Sequence, residues 1–377
     1  MGGGGLQVCV HNICNRHVKA GDEVYVFCCD AQKQTIKTDY KVRSFLRFRG
    51  INQFYPISKY FITSYVKRLQ KKYNFDLWQI DGGYPYGAFL IDYFRKYKIP
   101  CILRCCGDDI QINEELDYGI RRNKRVNEII SKNYYRYPAA VAITETVKEE
   151  YLKLKMPEES IHLIPNGVDI ARLKGNPTQN IREKHNIPSD STIILSVGRN
   201  HPKKGYSLIP RILEIVLNKG VDAYWIIIGR GCSDIKNEDK FESLKNKIIL
   251  IEEIVATNNS YEIPPDNLVD YYKGADLFAM TSLLETFGIV LVEALGAGLP
   301  VVCFNAPGVK NVMRSEYGSI CPMHDTKSFA DSIMEIACTK EYESLSKQCR
   351  IYAEKFSWDI IADKYTKLYL TLLEKMN

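Results

Sequence analysis

No stretch of this 377-residue chain is apolar enough to cross a membrane. The longest candidate, Ile289–Phe304, is interrupted by Glu293 and Pro300. The chain has no Cys-x-x-Cys pair and no Asp-x-Asp motif, and its six histidines are scattered. Those absences argue against a zinc site and against a carboxylate-held divalent ion, so no metal is expected. No secretory leader is recognisable ahead of the 12 irregularly spaced cysteines, which are therefore expected to be thiols in a reducing, cytoplasmic setting. There is no internal repeat, and no low-complexity tract beyond the four glycines at 2–5. What remains, 45% hydrophobic and 25% charged, is ordinary globular composition at a length suited to two domains.

Charge is unevenly placed. Residues 1–100 carry 16 Lys/Arg against 7 Asp/Glu, or +9, so the rest of a chain of net charge +6 is about −3. Between Lys33 and Lys72 stand 11 basic residues with only Asp39 opposing them, interleaved with Tyr40, Phe45, Phe48, Phe54, Tyr55, Tyr60, Phe61 and Tyr65. Such a stretch suits anionic lipid headgroups or a phosphorylated acceptor, and equally nucleic acid or plain solvent.

Short apolar strands alternate with amphipathic helices twice over, which predicts two α/β domains with parallel sheets. In the first half a helix is expected over Leu6–Ala20, with strands near Glu23–Cys29, Leu77–Ile80, Cys101–Arg104, Val141–Ile143 and His162–Ile164. In the second half strands are expected near Thr192–Val197, Ala223–Ile228, Ile248–Ile251, Leu277–Met280, Val301–Phe304 and Ser319–Cys321. The turn-rich segment Pro165–Pro177 reads as the linker, and Trp358–Met376 as a terminal helix. The domains are drawn at 1–168 and 169–355, with 356–377 as the closing helix. In a dinucleotide-type fold a strand precedes the Gly-rich turn. Met1 stands directly before Gly2, so the first strand of the first domain is expected to be missing.

Residues 285–293 read Glu-Thr-Phe-Gly-Ile-Val-Leu-Val-Glu. Glu285 is expected in a loop, Gly288 at a tight turn, and Glu293 inside an apolar helix whose free N–H groups form an anion site. A hydroxyl-rich ligand carrying phosphate satisfies all three features; a packed helix with one Glu reaching solvent is the plainer alternative. Two further segments bear on the choice. Ser196–Gly205 follows a strand and opens a helix, placing Arg199 and Lys204 where ligands of open α/β sheets bind. Ile164–Asp169 reads Ile-Pro-Asn-Gly-Val-Asp, where one domain hands over to the other.

Together with Gly21-Asp22-Glu23-Val24, Ala297–Val302 and Phe356-Ser357-Trp358, these segments resemble the retaining, nucleotide-sugar-dependent family 4 glycosyltransferases of the GT-B fold over nearly the whole chain. The resemblance implies two Rossmann-like domains facing a cleft, with the C-terminal helix crossing back to the first. It implies that Glu293 holds the ribose hydroxyls and Glu285 those of the transferred sugar, while N–H groups near Phe287, Gly288 and Ile289 cradle sugar and phosphate. Arg199 and Lys204 would bind the diphosphate, Gly3 and Gly4 would let the first helix approach it, and Ile254 lies in the segment facing the base. Expected partners are a nucleotide-sugar donor, no other cofactor, and a saccharide or lipid-linked acceptor of envelope polysaccharide or lipopolysaccharide synthesis. An anionic membrane surface would be met through residues 33–72, making the protein peripheral on the inner face. The family's His of an H-G-x-D turn is replaced by Cys106, with Asp109 or Arg104 expected to compensate. An epimerase or phosphorylase of the same fold, or a basic nucleic-acid binder, remain open at this point.

Overall fold

A computed structural model of the chain describes residues 4–29, 31, 37–45, 55–254 and 263–375. The chain divides into two compact units. One holds residues up to Asn166 together with Asp359–Asn377; the other is essentially Gly167–Trp358.

The first unit runs α1 (Gly5–Lys19), β1 (Tyr25–Cys28), β2 (Lys41–Ser44), α2 (Tyr55–Tyr73), β3 (Trp78–Asp81), α3 (Tyr86–Lys96), β4 (Cys101–Arg104), α4 (Lys124–Asn133), β5 (Ala139–Ala142), α5 (Glu145–Lys153) and β6 (Ile161–Leu163). Every ladder is parallel. β3-β4-β5-β6 form one sheet and β1-β2 another. Among the described residues no ladder joins β1 to β3; aromatic packing bridges them, with Phe27 and Trp78 rings stacked 6.0 Å apart. β4 and β5 are buried on both faces, as interior parallel strands must be. β2 escaped the sequence reading. Lys-Val-Arg-Ser is exposed at three of four positions, so it carries neither an apolar run nor a clean alternation.

The second unit contains α6 (Ile170–Lys174), α7 (Ile181–Lys184), β7 (Thr192–Val197), α8 (Ile209–Asn218), β8 (Ala223–Ile228), α9 (Phe241–Leu244), β9 (Ile248–Ile251), α10 (Asp266–Gly274), β10 (Leu277–Met280), α11 (Ile289–Ala297), β11 (Val301–Phe304), β12 (Gly318–Cys321), α12 (Thr326–Ala337) and α13 (Tyr342–Ala353). Its six strands form one parallel sheet in the order β12-β11-β10-β7-β8-β9. β7 and β8 are interior strands rich in β-branched residues; α8 covers them with Ile209, Ile212, Leu213 and Val216, one face of a 3.6-residue period. One polar side chain runs through this core. Ser196 of β7 accepts a 2.9 Å hydrogen bond from the Trp225 indole N–H and donates at 2.6 Å to the Ala279 carbonyl, tying three adjacent strands.

The last helix, α14 (Trp358–Glu374), packs within the first unit from Asp359 onward. Tyr369 donates to Gln79 at 2.7 Å, Arg16 pairs with Asp359 at 2.6 Å, and the His17 and Tyr369 rings lie 5.0 Å apart.

Candidate functional site: two carboxylates at the strand ends of the second unit

β7 and β10 are neighbours, so the loops leaving their C-terminal ends share one edge of the sheet. The β7 loop carries Arg199 and Lys204; the β10 loop carries Thr281 to Gly288. Backbone contacts lock the two together. Leu283 N–H donates to the Lys203 carbonyl at 2.7 Å, and the Thr281 hydroxyl donates to the Lys204 carbonyl at 2.8 Å. Gly205 has φ 61°, and a Cβ there would stand 2.2 Å from the Thr281 carbonyl oxygen, so the approach demands glycine.

That lock brings Lys204 onto Glu285. The ammonium donates to Glu285 Oε1, which also accepts from the Ser282 hydroxyl at 2.9 Å. Both charged side chains are largely buried. Burial alone would raise the Glu285 pKa, but the charges of Lys204 and Lys203 and the hydrogen bonds from Lys204 and Ser282 bring it below its ordinary value. Two residues read from the sequence as contacts to different parts of a ligand are thus ion-paired with each other. From the other side, Glu285 N–H donates to the Pro307 carbonyl at 3.0 Å. Gly308, at φ 86°, leaves room for the Glu285 carbonyl oxygen, which a Cβ would meet at 2.1 Å.

Gly288 opens α11 in the left-handed conformation, φ 79°, so Ile289 begins a helix whose first N–H groups are free of intrahelical partners. Phe287 is buried, its ring 6.0 Å from Phe356. Glu293 lies one turn inside α11, 5% exposed among apolar neighbours, and does not reach solvent. The Tyr272 hydroxyl of α10 donates to its Oε2 at 2.7 Å. Burial pushes the Glu293 carboxyl up to about 7, with the tyrosine bond a partial offset. Arg199 is exposed at the mouth of the β7 loop. Ile254 is half-buried just beyond β9. Near it Glu252 accepts the Gly231 and Ser233 N–H groups at 2.8 and 3.1 Å.

Glu285, Lys204, Phe287, Gly288, Ile289 and Glu293 therefore meet at one sheet edge. Gly4 is the exposed N-cap residue of α1 in the first unit, and Gly3 lies outside the described residues. Tyr272, Ser282, Thr281 and Gly308 were not read from the sequence. Tyr272, Thr281 and Gly308 act through contacts that only the fold creates, while Ser282 bonds Glu285 three residues on.

In the first unit the Cys106 turn is held by Asp109, whose Oδ1 accepts from Cys106 N–H at 2.9 Å and Gly107 N–H at 2.8 Å. Arg104 is 1% exposed and occupied by Asp81 at 2.8 Å and Asn166 at 2.7 Å. Both residues expected to stand in for a histidine are thus engaged in holding the turn and the interior. A cavity of about 390 Å³ lies beside this turn, with Tyr84, Asp108, Asp109 and Asn123 in its wall. Burial raises the Asp109 carboxyl, and its Oδ2 has no hydrogen-bond partner.

The basic stretch is less uniformly aromatic at its surface than its sequence predicts. Residues 33–36 and 46–54 lie outside the described residues. Tyr40 is buried against His11, and Phe45 packs edge-on to Tyr65 and Tyr86. Exposed on α2 are Ile57 at 56%, Tyr60 at 68% and Phe61 at 50%, followed by Lys67, Arg68, Lys71 and Lys72. No helix of the described residues is long and apolar enough to cross a membrane.

The backbone matches solved structures over almost its entire length. HepE of Anabaena, in complex with UDP-glucose, superposes with a TM-score of 0.75 over 98% of this chain and 96% of its own, at 16% identity. Two parallel-sheet α/β units of this kind define the GT-B fold. The sequence of residues 3–172 matches Glycosyltransferase Family 4 and residues 177–356 match Glycosyl transferases group 1, and the chain belongs to this glycosyltransferase family. It is 26% identical over 218 residues to a D-inositol 3-phosphate glycosyltransferase of Saccharomonospora viridis, covering 56% of this chain and 50% of that one. It is 25% identical over 236 residues to a lipopolysaccharide 1,2-N-acetylglucosaminetransferase of Salmonella typhimurium, covering 60% and 61%. The chain thus spans half to somewhat under two thirds of these relatives' length.

Proposed function

We propose that the protein transfers a sugar from a nucleoside diphosphate sugar to a hydroxyl of a saccharide or lipid-linked saccharide, with retention of configuration at the anomeric carbon. The observation that carries this reading is the Lys204–Glu285–Ser282 cluster standing beside the N-terminus of α11, with Glu293 buried one turn along. Glu293 takes the ribose hydroxyls and Glu285 the hydroxyls of the sugar. Arg199, Lys204 and the first N–H groups of α11 take the diphosphate. Ile254 borders the base. The UDP-glucose bound by Anabaena HepE supports a UDP-sugar as the first donor to try.

The acceptor oxygen bonds to the anomeric carbon as the bond from that carbon to the β-phosphate oxygen breaks. The acceptor proton passes to the departing diphosphate. Negative charge grows on that leaving group, and fixed cations and helix N–H groups stabilise it with no reorganisation at the moment of reaction. We propose that these groups suffice without a divalent ion. The acceptor enters the cavity of the first unit beside Asp109 and Tyr84. The test is incubation with UDP-, GDP- and ADP-sugars in EDTA, following diphosphate release and the anomeric configuration of the product. Release of one nucleoside diphosphate with a new α-linked glycoside from an α-linked donor is expected. An inverted product would remove retention, an isomerised donor without release would make the protein an epimerase, and a strict need for Mg²⁺ would remove the metal-free step.

The lipopolysaccharide 1,2-N-acetylglucosaminetransferase among the relatives supports a lipopolysaccharide-type acceptor, and in our reading such an acceptor is met at the inner face of a membrane. We propose that α2 meets that surface, Ile57, Tyr60 and Phe61 entering the headgroup layer while Lys67, Arg68, Lys71 and Lys72 attract anionic lipid. Each juxtamembrane cation contributes about 1 kcal/mol. The protein should float with phosphatidylglycerol vesicles at low salt and not with phosphatidylcholine vesicles. Replacing Lys67, Arg68, Lys71 and Lys72 together with glutamine should abolish flotation; unchanged flotation would exclude this surface.

A further inference from the structure

The second unit carries another cavity, of about 600 Å³, at the opposite ends of its strands from Glu285. Gly274 to Asp276 lead into β10 there and Leu299 leads into β11. One face of α13 closes it, with Glu343, Ser346 and Arg350 at helical spacing.

Its charges do not cancel. Arg182 and Asp276 neutralise one another at 2.6 Å, and Asp276 also accepts the Ile193 N–H at 2.6 Å. That leaves Lys273 and Arg350, neither of which forms an ion pair with a described residue; the one hydrogen bond Arg350 donates, from Nε to the Ala297 carbonyl, is 3.4 Å long. Glu343 is exposed on the rim and pairs with neither. The Lys273 ammonium is depressed from its ordinary range by burial and then by the Arg350 charge beside it. Ser346 is 3% exposed, and its hydroxyl has no hydrogen-bond partner among the described residues. The first turn of α13, at Tyr342 and Glu343, also lines the space and brings uncommitted N–H groups.

The C-terminal carbonyls of α10 and α11 would attract a cation each. They do not account for the room left in front of two cations, a buried hydroxyl and a helix N-terminus. We propose that this cavity binds a small molecule through a phosphate group, held by Lys273, Arg350, the Ser346 hydroxyl and the start of α13. Nothing in the donor chemistry uses these residues, so the assignment stands apart from the proposed transfer reaction.

The test is isothermal titration of the full chain with inorganic phosphate and, separately, with glucose 6-phosphate in low-salt buffer. Saturable binding is expected, weakened about tenfold or more by Lys273→Met and by Arg350→Met, since a charge-assisted hydrogen bond is lost in each. Lys273→Arg keeps the charge and should keep binding, which separates a lost contact from a damaged fold. Tighter binding of glucose 6-phosphate makes a phosphorylated sugar the occupant; equal affinity makes it free phosphate. Two results overturn the assignment. One is no saturation by either probe up to ~20 mM. The other is binding that is lost in Arg199→Met and intact in Lys273→Met and Arg350→Met, which would place the anion at the other end of the sheet.

Discussion

Lys204→Met will destabilise the protein by about 3–5 kcal/mol at neutral pH, as expected when one partner of a buried ion pair is removed. The loss should exceed the direct value of the contact, because Glu285 stays behind as a buried carboxylate. The pH dependence carries the signature. In the wild type Glu285 is held below its ordinary value, so its contribution is present above the unfolded pKa and is lost as pH falls through the folded one. Without Lys204, burial becomes the leading influence and raises the carboxyl instead. The variant should therefore gain stability as pH falls from neutrality toward the unfolded value, a window in which the wild-type contribution of Glu285 does not change. Lys204→Met combined with Glu285→Gln should recover most of the loss, since no charge is then stranded. Urea denaturation of the four proteins of this cycle at about pH 7.5 and 4.5 reads it directly. A loss below about 1 kcal/mol for Lys204→Met would mean that the pair is solvated and worth no more than a surface contact.

That ion pair also marks where sequence reading stops. Glu285, Gly288 and Glu293 were legible because a carboxylate, a turn residue and an apolar helix follow one another within nine positions. Lys204 was legible as a cation after a strand. The 81-residue separation hid that the two residues bond each other, which follows from β7 lying beside β10. Tyr272 shows the same limit. A tyrosine near the end of an amphipathic helix carries no local signal of a task, and only the packing of α10 against α11 puts its hydroxyl on Glu293. Strands buried on both faces were read correctly as apolar runs, while β2, short and charged at a sheet edge, was not. The aromatic residues of the basic stretch were read as one surface; Tyr40 and Phe45 turned inward because that region has a small core of its own to fill.

Glu293→Gln will flatten the stability profile between about pH 4.5 and 7 and leave the protein about 3 kcal/mol more stable than the wild type above that range. The carboxyl is raised in the folded state from its ordinary 4.5 to about 7. Between those values the native protein holds a proton that the unfolded chain has lost, so wild-type stability falls as pH rises and is level beyond. Each unit corresponds to about 1.4 kcal/mol, which sets the size. Glutamine has the same shape, still accepts from Tyr272 and never ionises, so the slope disappears. Nucleotide binding should move the opposite way. Ribose hydroxyls donate to the ionised carboxylate, so UDP should bind the wild type about tenfold more tightly at pH 8 than at pH 6 and release a proton as it does so. Glu293→Gln should bind it about tenfold or more weakly at pH 8, with the pH dependence gone. Tyr272→Phe removes the one bond that favours the charged form and should shift both transitions to higher pH. Chemical denaturation across this range and titration calorimetry in two buffers of different ionisation enthalpy read the two effects separately. A Glu293→Gln profile parallel to the wild type would show that the slope belongs to another group, and UDP affinity unchanged by the substitution would take Glu293 out of the donor site.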